Sequence, residues 1–230
     1  PFTSAPASPS DPVSDAEQRL ADVQAGLDRA CRDAGRTEKP LLVAISKTFD
    51  ADAIRPLIAA GQRHFGENRV QEAAAKWPKM LAETPGITLH LVGQLQSNKA
   101  AEAVALFDVI HSVDRPALVP ALAKAQAGAD KLPACYLQVN IGNEEQKGGC
   151  ALADLPALLE QARSAGLNVV GLMCVPPADV EPAPYFALLA EHAKRLGLTG
   201  LSMGMSSDYE TAALLGSTVV RVGSALFGNR

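Results

Sequence analysis

Eight short apolar runs, separated by stretches of helical periodicity, recur along this 230-residue chain. They fall at 41–46, 62–65, 87–92, 107–111, 134–141, 167–173, 199–202 and 217–222. Strands that are apolar on both faces and alternate with helices pair in parallel, because each crossover helix covers a sheet face. Eight such units predict an α/β fold, a single (β/α)8 TIM barrel. An open doubly wound sheet buries its strands in the same way and is the competing arrangement. Two features favour the barrel. No GxGxxG follows the first run, and the polar groups of interest come from first, second and late strands together, which a closed barrel gathers around one mouth.

Ahead of the first strand, Ser14 is a candidate N-cap for a helix over 15–32, in which Leu20, Val23, Leu27 and Cys31 recur every three or four residues and Gly35 marks the end. The barrel is therefore expected to carry an extra N-terminal helix. Residues 1–13 lack the basic and apolar segments of a signal peptide and are read as a flexible leader before one 14–230 domain. A further helix is expected over 185–196, after a proline-rich loop.

Composition narrows the function. A net charge of -4 and an isoelectric point near 5.6 give no broad attraction to nucleic acid. No apolar run approaches the roughly 18 residues that span a bilayer, so neither nucleic acid nor a membrane is expected as a partner. Cys31, Cys135, Cys150 and Cys174 show no CxxC spacing, and the histidines show no HxxxH or HxH. Neither a disulfide framework nor a metal site is expected, and a reducing cytoplasm fits.

The first run ends in Ser46-Lys47. Alternation places Lys47 on the side of Leu41, Val43 and Ile45. At the carboxyl end of a barrel strand a desolvated lysine loses its proton more easily and attacks a carbonyl. After the second run, Gly66 suits a tight turn, Asn68 suits a hydrogen bond to a ring hydroxyl, and Glu67 and Arg69 suit local pairing or helix capping. The polar run 93–99 is expected to line the mouth, as are His111 and Ser112, whereas His90 reads as a core histidine.

Two Gly/Ser-rich turns follow the seventh and eighth strands, one with Ser206 and one with Gly223 and Ser224. Each alone suits helix capping or anion contact; the pair coincides with the usual phosphate position of this fold. Arg221 shares a face with Val219 and projects a permanent cation towards the mouth. A pyridine nitrogen, a phosphate or an acidic side chain would each serve as its partner.

Together, the segments 42–48, 61–68, 90–99, 171–173, 201–209 and 220–228 resemble the pyridoxal phosphate homeostasis proteins. The resemblance covers roughly 14–230 and implies a barrel similar to the N-terminal barrel of alanine racemase, with pyridoxal 5'-phosphate (PLP) bound covalently. It implies Lys47 as the Schiff-base lysine, Ser206, Gly223 and Ser224 as phosphate contacts, Arg221 beside the pyridine nitrogen and Asn68 near the ring. Phe49-Asp50 and Cys174-Val175 depart from the usual residues of the family, both at the rim.

The implied role is a PLP carrier and buffer in vitamin B6 homeostasis, passing the cofactor to PLP-requiring apo-enzymes, with a monomer expected. The alternative is a racemase-like enzyme acting on amino acids. A pyridine nitrogen facing a protonated arginine stays unprotonated and is a poorer electron sink. Tyr136, Tyr185 and Tyr209 match no second-face acid, and the chain ends after the eighth unit, so a non-catalytic carrier is expected.

Overall fold

Hydrogen bonding between the first and last strands closes the sheet. The computed structural model describes residues 11–228. Its strands are β1 Leu41–Ile45, β2 His64–Glu67, β3 Thr88–Leu91, β4 Val109–Val113, β5 Ala134–Val139, β6 Asn168–Cys174, β7 Gly200–Ser202 and β8 Val219–Val222. All pair in parallel in sequence order, and β1 returns to β8 with Leu41 opposite Val219 and Val43 opposite Arg221. The open doubly wound sheet is thereby excluded.

The helices are α1 Pro12–Asp33, α2 Ala51–Ala59, α3 Val70–Glu83, α4 Ala100–Leu106, α5 Leu118–Ala127, α6 Leu155–Ser164, α7 Ala183–Arg195, α8 Tyr209–Leu214 and α9 Ser224–Phe227. One apolar core lies between helices and barrel, built around Trp77, Phe65, Phe107 and Phe186. A second, smaller one fills the barrel, where Val43, Tyr136, Met173 and Val219 meet. That Val43 lies there, with Leu41 and Ile45 packed against it, is what strand alternation required.

Several boundaries differ from expectation. The first helix starts at Pro12, not after Ser14, because Asp11 accepts the Val13 N–H at 3.0 Å and proline costs nothing in a first turn. The expected leader 1–13 therefore loses residues 12 and 13 to α1; residues 1–10 lie outside the described residues. The second strand runs 64–67 instead of 62–65, since the Gln62 side chain turns back to donate to the Leu42 and His64 carbonyls. The fourth begins at Val109, because the Phe107 N–H still bonds to Ala103 and ends α4. α7 begins at Ala183, two residues before the expected start, with proline again in its first turn.

The extra helix α1 packs on α8, α2 and α9. Arg19 reaches the Leu226 carbonyl at 2.8 Å, and Arg36, just beyond α1, donates to the Ala213 and Ser217 carbonyls. The side of the barrel where the chain closes on itself is thus tied from outside.

Strands β6 and β7 approach through paired glycines, Gly171 opposite Gly200. A Cβ on Gly171 would lie 2.1 Å from the Gly200 carbonyl oxygen, a backbone atom that cannot step aside. Gly171→Ala is therefore expected to lower the unfolding free energy by about 1–3 kcal/mol, as overpacking does. Urea denaturation measures it; an unchanged midpoint would show that the strands separate freely.

Candidate functional site

The carboxyl ends of the strands surround a cavity of about 700 Å³. Lys47, Asn68, Ser206, Arg221, Gly223 and Ser224, the six residues singled out in the sequence, all line it. Phe49, Val92, Gln138, Met173, Val175 and Met205 complete most of the wall. Lys47 follows β1 by two residues and is exposed, so its position at the mouth matches expectation but the burial expected there is not present.

Arg221 is almost wholly buried. It donates to the Ser202 hydroxyl at 2.6 Å and to the Cys174 carbonyl at 3.0 Å. No carboxylate among the described residues lies within ion-pair distance of it. Burial depresses its pKa, against weaker opposing contributions from Cys174 and Asp208. Two of its five N–H donors are used by these two bonds, and its side chain borders the cavity.

The two Gly/Ser turns meet. Ser206 Oγ accepts the Gly223 N–H at 3.1 Å and the Ala225 N–H at 3.4 Å, crossing from the β7 turn to the β8 turn. Ser206 is thus not a cap of its own helix. Asp208 takes the Met205 N–H instead, at 2.6 Å.

Other expectations fail for identifiable reasons. Gly66 makes no turn: it lies in β2, and a Cβ there would meet the Ile45 side chain at 2.5 Å, so close packing explains it. None of the polar run 93–99 borders the cavity; the preceding Val92 does. His111 and Ser112 are fully buried and do not line the pocket.

His111 belongs to a line of side chains through the barrel. His64 Nδ1 lies 3.0 Å from His90 Nε2, His90 Nδ1 lies 2.9 Å from His111 Nε2, and His111 Nδ1 lies 2.8 Å from Ser202 Oγ, which Arg221 contacts. Arginine can only donate, so Ser202 accepts from Arg221 and donates its hydroxyl hydrogen bond to His111 Nδ1. Each neutral histidine then donates from Nε2 to the next, ending at His64 near the opposite mouth.

Sequence reading missed Gln138 and Lys76. Gln138 is the lone amide in an otherwise apolar strand, a signal that was available; its Oε1 is buried with no hydrogen-bond partner. Lys76 sits mid-helix in α3, where a lysine ordinarily faces solvent, and nothing local marks it. Cys174 beside the site is no rival nucleophile, because burial pushes its thiol up to about 12. Among the described residues no cluster suits a metal ion, and no helix is long and apolar enough to cross a membrane.

The alanine racemase N-terminal domain family matches residues 23–230. A pyridoxal phosphate homeostasis protein of Pseudomonas aeruginosa is 42% identical over 221 residues, covering 93% of this chain and 95% of that protein. This chain belongs to the pyridoxal phosphate homeostasis protein family. The Escherichia coli K12 member is 37% identical over 231 residues, covering 95% of this chain and 98% of its own. The structure of PipY from Synechococcus elongatus with PLP bound superposes with a TM-score of 0.79 at 41% identity, covering 93% of this chain and all of that one (100%). Alanine racemase of Bartonella henselae shares the fold, with a TM-score of 0.69 at 16% identity over 94% of this chain and 59% of that enzyme.

The histidine line predicts acid sensitivity. Burial, then the neighbouring His64, pushes the His90 pKa down to about 3, and burial also lowers His64 and His111. Unfolding restores values near 6.5, so the unfolded chain binds more protons in between. Stability is expected to fall as pH drops from about 6.5 towards 3, and His90→Gln to flatten that fall by about 1 kcal/mol per pH unit. Urea titrations from neutral to acid pH measure the slope; identical slopes in parent and variant would show that His90 does not titrate on unfolding.

Proposed function

We propose that this protein carries and buffers PLP as a covalent adduct of Lys47, in the service of vitamin B6 homeostasis. The observation that carries the reading is the pairing, in one cavity, of an exposed lysine with a buried arginine that forms no ion pair with any carboxylate among the described residues. The residues fit the cofactor. Arg221 supplies a cation with N–H donors to spare, Gln138 offers a buried oxygen without a donor, and Ser206 and Ser224 present hydroxyls for a phosphate beside Gly223, whose N–H holds Ser206 in place. The homologous PipY structure contains PLP, which supports the assignment.

The cofactor brings an aldehyde that condenses reversibly with an amine. Lys47 supplies that amine, from a flexible side chain that solvent reaches. Arg221 holds its protons and donates them as hydrogen bonds, which keeps a facing pyridine nitrogen unprotonated. Asn68, half-buried at the end of β2, offers donor and acceptor to a ring substituent. Phe49, stacked on Phe227 at 4.4 Å, and Val175 form apolar rim.

The same cavity favours a carrier over a racemase-like enzyme. Lys47 and Arg221 are the ionisable side chains among its lining residues, whereas inverting an α-carbon requires a proton donor and acceptor on opposite faces. Tyr136, Tyr185 and Tyr209 are not among those lining residues. Delivery to PLP-requiring apo-enzymes, a monomeric state and residence in the cytoplasm complete the proposal; four free buried cysteines accord with a reducing compartment.

With PLP added, borohydride is expected to fix the adduct on Lys47, and Lys47→Ala to abolish it; peptide mapping that finds the adduct elsewhere would overturn the assignment. Ser224→Asp is expected to weaken PLP far more than unphosphorylated pyridoxal, by charge repulsion at the phosphate turn, as paired titrations would show. Incubated with PLP and L-alanine in deuterated water, the protein is expected to exchange the α-proton far more slowly than about 1 per second, a rate at the low end for enzymes. Faster exchange with D-alanine formation would favour the racemase-like reading.

A further inference from the structure

The turn that carries Lys47 is held from behind by a buried ion pair. The Phe49 N–H donates to the Ser46 carbonyl at 3.1 Å, closing a four-residue turn with Lys47 and Thr48 at its centre. Thr48 has a φ of 66°, the left-handed region that a β-branched side chain avoids and that glycine ordinarily supplies at this position of a turn. Such a conformation persists only where its surroundings over-determine it.

Helix α3 provides those surroundings. The Lys76 ammonium donates to the Ser46 carbonyl at 2.9 Å and to the Phe49 carbonyl at 2.8 Å, gripping both ends of the turn. One helical turn earlier, Glu72 accepts the Thr48 N–H at 2.5 Å and also pairs with Lys76. Glu67, fully buried at the end of β2, lies 2.7 Å from the same ammonium and accepts from the Ser46 hydroxyl and the Trp77 indole. The Lys76 side chain is 9% exposed and is not among the cavity-lining residues.

A buried ion pair is a weak source of stability, because well-packed apolar residues often replace one at no loss. An apolar pair would not bind two carbonyls that bracket a lysine. We propose that Lys76, oriented by Glu67, is a positioning residue for Lys47: it fixes the strained turn so that the Lys47 amine meets a bound aldehyde. The inference rests on Lys47 as the attachment point. In that step the lone pair of the neutral amine forms a carbon–nitrogen bond, and both amine hydrogens leave with the carbonyl oxygen as water.

The test compares dissociation constants for PLP and for pyridoxamine 5'-phosphate, which keeps ring and phosphate but has no aldehyde. The ratio of the two isolates covalent capture from the shared contacts. Lys76→Met is expected to reduce the preference for PLP on the order of tenfold, since small misplacements of a reacting group cost this much or more, while pyridoxamine phosphate binding holds. Adding Thr48→Gly is expected to restore part of the preference, because glycine takes a positive φ without a clamp. An unchanged ratio in Lys76→Met, or equal weakening of both ligands with no rescue, would overturn the inference. Should Lys76→Met fail to fold because Glu67 is left charged without its partner, the double variant Lys76→Met with Glu67→Gln carries the test, since Gln keeps an acceptor for the Ser46 hydroxyl and the Trp77 indole: a reduced ratio supports the inference and an unchanged one overturns it. A parent protein that binds both ligands alike would overturn the Lys47 reading itself, a separate result.

Discussion

A guanidinium buried in the barrel with no carboxylate of the described residues within ion-pair distance is the constraint around which this site is organised. Removing a charge from water costs several kcal/mol even after relaxation, so Arg221 is tolerable only among dipoles that stabilise it without neutralising it. Ser202 and the Cys174 carbonyl do so on the protein side. The remaining donors are left for the cavity. A carboxylate at Ser202 would satisfy the cation internally and present the cavity with a neutralised pair in place of a cation.

Burial keeps the histidines beneath this cation neutral, and at His111 the cation adds to it. A second positive charge in the same low-dielectric interior would be repelled, and the depressed pKa of His111 has Arg221 among its causes, after burial and His90. Neutral imidazoles fill the barrel as polar but uncharged packing, each donating to the next, so no buried nitrogen of the line is stranded. His111 also stacks face to face on Tyr136 at 4.6 Å, which joins this polar line to the apolar interior cluster. The line thereby runs through the barrel interior from Ser202, beside Arg221, to His64 near the amino end.

At that end, rigidity and freedom are divided between backbone and side chain. The turn at Thr48 holds a conformation that costs of order 1–3 kcal/mol for a non-glycine residue, and α3 bonds hold it there. The Lys47 side chain it presents is exposed. The backbone at Lys47 is therefore held while its side chain stays open to solvent, an arrangement that accords with the proposed reversible capture.

Eight strands, their parallel order and the six cavity residues were legible in the sequence because each rests on local pattern. Apolar runs at βα spacing imply the barrel, and Lys47, Asn68, Ser206, Arg221, Gly223 and Ser224 all lie at or just beyond strand ends, which a barrel brings to one mouth. Gly66 read as a turn and His111 as pocket wall because periodicity assigns a face but no depth along the barrel axis. Only closure, with Val43 set opposite Arg221, decided that depth and brought His64, His90, His111 and Ser202 into line. Lys76 was illegible for the same reason: its partners are backbone carbonyls 27 and 30 residues earlier, and no sequence pattern encodes which carbonyls a helix will meet once packed. Local spacing determined which residues reach the mouth; the tertiary packing alone decided which of them are charged, neutral or held in place, because those properties depend on neighbours that the chain supplies from afar.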